Sequence, residues 1–333
     1  MAFPERGSPI SENFEIAKVL SIGMVATAHF FPNTLLWVPS TVALFVFGFA
    51  SSYFTHAKYR DAFHLGPYWT NKLVRLAIPL LVIDVFLLIL CSLRSSQSIW
   101  VWQTIPHLLG LGGALDWFGF MNASPLGGGM WFFTLLLVFY AFYPLLRVVN
   151  QIRVGSWVAV IAALVGTTYC HFRFPLGYSL WPTIFSFVFG AFIAERGAHI
   201  SGLLCIVGGG VSILVLGLFN VVLKVNSFNY FLILAASVLL TLWLLKVSLP
   251  VWLSHSANYF SDLLLEIYLI HTYLFLTVTG LRALDYVLSL CVIVIVARAL
   301  HLLADHLSHA YSTRTALVRI DVSPENDGSL KRE

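Results

Sequence analysis

The apolar run 14–32, FEIAKVLSIGMVATAHFFP, carries Glu15, Lys18 and His29. Lys18 and His29 are eleven residues apart. On an α-helix that spacing returns to within about 20° of the same face and separates the side chains by roughly 16 Å along it. A cation near one membrane surface, with an imidazole deeper and in line, would make a track for a long thin ligand. Ionisable side chains inside a membrane helix cost about 2.5–3.5 kcal/mol each on insertion scales, so they mark function by default. The plainer alternative is a lysine that snorkels to the headgroups and a histidine that hydrogen-bonds a neighbouring helix.

Three further groups could share such chemistry. Lys72 and Arg75, three apart and on one face if helical, precede the apolar segment LAIPLLVIDVFLL and could clamp a phosphate. Ordinary positive-inside topology would explain the same pair. That segment buries Asp84, a carboxylate that needs a partner or a wet cavity. The segment SDLLLEIYLIHTYLFL holds Asp262, Glu266 and His271. Glu266 and His271 are expected at a depth comparable with His29, where imidazole and carboxylate suit proton transfer. Trp131 follows a glycine triplet and could stack on a sugar ring, or act simply as a membrane-belt residue. His171 and Arg173 fall at the outer end of the fifth span and could touch an acceptor or mark the interface. Arg298 and His301 in the last span read as snorkelling.

These residues need helices to carry them. Of the 333 residues 59% are hydrophobic and only 10% charged, against about 25% charged in a soluble domain, so the chain reads as an all-α polytopic membrane protein. Apolar runs place ten spans near 13–32, 36–54, 76–94, 129–149, 154–172, 177–195, 201–221, 228–248, 260–281 and 283–305. The first of them shows no cleavage site and is expected to stay as a helix. The Trp- and Gly-rich stretch 98–128 reads as an interfacial or re-entrant loop. The expected organisation is one transmembrane domain over 1–311 and a polar, disordered cytoplasmic tail over 312–333. With the N-terminus inside, only Arg94, Arg173, Lys224 and Arg282 of the 19 Lys and Arg fall outside, against 15 on the cytoplasmic side. Both termini are therefore expected in the cytoplasm. The cysteines Cys91, Cys170, Cys205 and Cys291 have no metal-ligand spacing and read as small buried hydrophobes. No metal is expected.

Taken together, these segments resemble membrane-bound acyltransferase family 3, whose members O-acylate sugars and surface polysaccharides. Lys18 with ten residues before His29 is similar to the family's basic-x10-His motif. VALFVFGFASSYF resembles its second span, Lys72-Leu-Val-Arg75 its Arg-x-x-Arg element, and the segments around Trp131 and His271 its Trp-Phe and Ile-Tyr-Leu-x-His elements. The chain departs in having Lys at 18 and 72 where Arg is commoner, Glu15 where Asp is usual, and Phe47-Gly48 for Ser-Gly. Lysine keeps the charge but not the bidentate fork.

The resemblance implies an O-acyltransferase, most often an O-acetyltransferase, of the bacterial cytoplasmic (inner) membrane. Its donor would be cytoplasmic acyl-CoA, typically acetyl-CoA, and its acceptor a hydroxyl of a cell-surface or lipid-linked glycan. The family's essential histidine carries over to His29. Glu266 or Asp84 would then orient it, Lys18, Lys72 and Arg75 would hold the donor phosphates, and Trp131, His271 and Arg173 would meet the acceptor. No nucleic acid is expected as a partner. The competing reading is a transporter or flippase of a lipid-linked or anionic solute, which intramembrane charges also suit. Paired broken helices or repeat halves, its usual marks, are not seen in the sequence.

Overall fold

A computed structural model describes residues 8–94, 98–127 and 130–321; side chains are described to Ala310, except Val251. The described residues form helices and connections, with no strand. The helices are α1 (Pro9–Phe30), α2 (Trp37–Tyr59), α3 (Leu65–Arg94), the short α4 (Thr104–Leu108) and α5 (Gly112–Trp117), α6 (Trp131–Gln151), α7 (Arg153–Arg173), α8 (Leu180–Arg196), α9 (Gly202–Gly217), α10 (Asn229–Leu244), α11 (Val251–Ser261), α12 (Leu264–Ile270) and α13 (Arg282–Asp321). Part of the tail expected from 312 thus continues α13; 95–97 and 322–333, with two of the three glycines before Trp131, lie outside the described residues.

Six described helices are long and apolar enough to cross a membrane: α2, α3, α6, α7, α9 with the π-turn Leu218–Leu223 that extends it, and α13 to Ala310. Helix α1 carries Glu12, Glu15 and Lys18 in its first half and is not among them. Helices α8 and α10 are apolar but only 17 and 16 residues long.

The stretch expected as a ninth span, 260–281, is not one helix. Helix α12 ends at Ile270, a single 3-10 turn covers His271–Tyr273, and irregular backbone follows to α13. Such backbone is tolerated at depth only where its polar groups find partners within the protein. Here α13 supplies them. Ser289 Oγ accepts from Leu276 N at 2.8 Å, and Asp285 accepts from Val278 N at 3.1 Å and Thr279 N at 2.8 Å.

Close helix packing builds the frame. Gly190 of α8 lies so near α2 that a Cβ there would stand 2.5 Å from the Phe49 carbonyl oxygen, and a Cβ at Gly48 would collide with Ser186. The Ser52 hydroxyl donates across the same seam to the Phe187 carbonyl. Small residues at helix contacts are how membrane bundles bring backbones together, since apolar burial alone gives no gain over lipid. Phe14 of α1 stacks on Phe49 of α2, centroids 5.7 Å apart. The Asn13 amide ties α1 to the α10–α11 turn by donating to Leu244 O at 2.9 Å and Val247 O at 2.7 Å. Leucines such as Leu203 and Leu214 of α9 face outward, as lipid contact requires.

Candidate functional site

The side chains named from the sequence fall into two groups spaced along the bundle. At one end, basic groups gather between the last turns of α2, the first turns of α3 and the middle of α6. Lys72 Nζ lies 3.7 Å from the Tyr140 ring centroid and donates to Thr55 Oγ1 at 3.2 Å. Arg75 and Lys18 both lie within electrostatic reach of the Tyr140 phenol, so the three cations named from the sequence converge around one aromatic side chain. Lys18 is held in an ion pair with Glu15, 2.8 Å away. Arg75 is exposed and forms no hydrogen bond or ion pair among the described residues. Nearby, Arg147 donates to the carbonyls of Tyr59 and Arg60 and closes the α2 terminus.

At the other end His29 occupies the last turn of α1, exposed to a cavity of about 320 Å³. The wall comes from the starts of α2, α6 and α8, from α5 and from α12. It includes Ser40, Asp116, Trp117, Trp131, Tyr178, Ser179 and Tyr268. Trp131 and His29 therefore share one cavity. Asp116 lies outside the spanning helices; partial burial pushes its carboxyl pKa up, and neighbouring His107 acts in the opposite sense.

Behind His29 stands His271. His29 Nδ1 is 2.7 Å from His271 Nε2, and His271 Nδ1 is 2.7 Å from the Tyr268 carbonyl oxygen. The rings are within 6° of parallel with centroids 5.0 Å apart. With a 2.7 Å nitrogen contact that separation describes two rings meeting edge to edge, not face to face. A carbonyl only accepts, so His271 Nδ1 must donate to it. In the neutral pair His271 Nε2 then accepts from His29 Nδ1–H, which leaves the lone pair on His29 Nε2.

The carboxylates named from the sequence do not contact His29 through a hydrogen bond. Glu266 is buried and accepts from His301 Nδ1 at 3.0 Å; His301 Nε2 lies 3.5 Å from Asp305. Asp84 is buried and forms no hydrogen bond or ion pair among the described residues. Arg173 is exposed at the end of α7, and the chain beyond it, Leu176 to Leu180, turns back to line the cavity. Sequence reasoning missed Asp116, Trp117, Tyr178 and Tyr268. The tryptophan-rich composition of 98–128 was a signal for Trp117, but nothing local distinguished Asp116.

A family model described as an acyltransferase domain matches residues 12–303, from α1 into α13. The chain belongs to acyltransferase family 3. No curated protein and no solved structure matches it. The acyltransferase match spans both the basic end and the histidine cavity, and with the apolar helices it makes the chain a multi-pass membrane acyltransferase.

Proposed function

We propose that this acyltransferase is an O-acyltransferase of the bacterial cytoplasmic membrane, moving an acyl group, acetyl by the family's habit, from cytoplasmic acyl-CoA to a hydroxyl of a cell-surface or lipid-linked glycan. The reading takes 1–311 as a ten-span domain with both termini cytoplasmic and 312–333 as a polar tail. The observation that carries it is the position of His29, open to a cavity on one side and hydrogen-bonded to His271 on the other.

The residues divide the work by location. Lys18, Lys72 and Arg75 would bind the anionic head of the donor at the basic end, where charge-assisted contacts to phosphate are strongest. The long arm of the donor would run toward His29, roughly 16 Å further along α1. His29 Nε2 would take the proton from the acceptor hydroxyl as its oxygen bonds to the thioester carbonyl carbon. When the tetrahedral intermediate collapses, the C–S bond breaks, and the imidazolium returns the proton to the thiolate. A positioned base of this kind contributes typically about 10²–10⁴-fold. His271, accepting the Nδ1 proton, would fix the tautomer and orientation of His29, the part an acid plays in hydrolytic triads.

The test is to supply purified protein in lipid vesicles with radiolabelled acetyl-CoA and a panel of glycans. Label appearing on glycan, and absent with His29→Ala, is the expected result. Label on no acceptor, with solute moving across the vesicle wall instead, would replace this reading with transport.

A further inference from the structure

The wall around His29 has a chemical character of its own. Trp117, Trp131 and Tyr178 contribute aromatic side chains; Ser40, Ser179 and Tyr268 also line it, their hydroxyls already bonded to Trp37 O, Thr41 Oγ1 and Phe132 N. Among the described residues no lysine or arginine lines it, and the one carboxylate that does is Asp116. Aromatic faces with a few polar groups able to fix orientation are the usual make-up of a small-molecule site, and about 320 Å³ lies at the lower end of the size range for such cavities. A carboxylate accepts hydrogen bonds from hydroxyls but repels another anion, and among the described residues this wall offers no lysine or arginine to offset that repulsion.

Resting on the acyl-transfer reading above, we infer that this cavity is the acceptor subsite, that Asp116 is a specificity-determining residue within it, and that it takes an uncharged, hydroxyl-bearing sugar ring and rejects a uronate or phosphorylated one. The ring stacks between the aromatic side chains of α5 and α6. Asp116 accepts from one or two of its hydroxyls, which presents another to His29. An acidic ring would place its carboxylate beside Asp116, with no lysine or arginine among the described lining residues to offset the repulsion.

Two cavity tryptophans allow binding to be read without turnover. Intrinsic fluorescence should be titrated with a neutral oligosaccharide and with its uronic-acid counterpart, on the full chain in nanodiscs. The expected result is quenching that saturates at least tenfold earlier for the neutral sugar. Asp116→Asn should weaken neutral-sugar binding by about tenfold, the scale of a hydrogen bond to a charged group. Asp116→Lys should reverse the preference in favour of the uronate, which no purely structural role of an exposed side chain would produce. Equal binding of both sugars by the native chain, or an unaltered preference in Asp116→Lys, would overturn the inference. Because this readout needs no acyl donor, saturable neutral-sugar binding without acyl transfer would fault the transferase reading alone. Transfer to glycan with no discrimination by charge would fault the Asp116 assignment alone.

Discussion

His29 and His271, 242 residues apart in sequence, meet nitrogen to nitrogen at 2.7 Å with their rings within 6° of parallel. The contact joins the last turn of α1 to the point where the α12 segment stops being helical. His271 is buried while His29 faces the cavity, so the pair has an anchored member and a member open to the cavity. His271 Nδ1–H donates to the Tyr268 carbonyl, and this single hydrogen bond decides which nitrogen of neutral His29 keeps its lone pair.

Replacing His29 should remove the base without disturbing the donor site. His29→Ala and His29→Gln are both expected to lower transfer by about 10²–10⁴-fold. Acyl-CoA binding, followed by calorimetry, should persist because the basic end lies roughly 16 Å away along α1. Transfer within tenfold of the native rate would move the base elsewhere, with His271 the next candidate.

A graded response is expected at His271. With His271→Ala, His29 Nδ1–H loses its acceptor and either tautomer becomes accessible. Transfer should fall at least tenfold, and at most by the roughly 10⁴-fold that a wrong tautomer costs in a Ser-His-Asp triad. His271→Asn, whose amide oxygen can accept, should recover part of that loss. Variants equally impaired, with Tm lowered alike, would make the residue a packing element only.

At the basic end, Lys72→Ala with Arg75→Ala should raise the KM for acyl-CoA and flatten its dependence on salt, because contacts between charges near solvent are screened over about 10 Å at 0.1 M. The kcat should change less than the KM. A KM that stays put while only protein level falls would identify the pair as a topology signal.

The seam between α2 and α8 should tolerate no added bulk. Gly190→Val places methyl groups against the Phe49 carbonyl, where even a Cβ would stand 2.5 Å away. Overpacking of this kind costs about 1–3 kcal/mol, read as a lower Tm in detergent. An unchanged Tm would show that the two helices can move apart freely.

The orientation proposed here is open to labelling. In a chain whose four native cysteines are replaced, Cys at Asp61, beside the basic end, should react with an impermeant maleimide only in inverted vesicles. Cys at the highly exposed Trp100, in the connection before α4, should react only from outside. The opposite pattern would invert the bundle.

Some of this molecule was decided by composition and short-range spacing. The hydrophobic content determines an all-helical membrane chain, because only helices satisfy backbone polar groups within each apolar segment. The eleven-residue spacing of Lys18 and His29 sets both on one face of α1 by helical geometry alone. The Lys72 and Arg75 pair lies within one turn of α3 for the same reason. The partners of these residues were not legible. Which helix packs against which depends on small-residue seams such as Gly48 and Gly190 between α2 and α8, and on ties such as Asn13 of α1 to the α10–α11 turn. A hydropathy pattern reports the transfer energy of each segment but not its neighbours. Glu266 suited His29 by type, yet the packing of α12 on α13 gave it to His301 and left His29 to His271. The stretch 260–281 is apolar enough to pass for a continuous span. It breaks at His271 because Asp285 and Ser289, on the following helix, satisfy the backbone N–H groups that helix would otherwise have to pair. That exchange of partners exists only once the helices are packed.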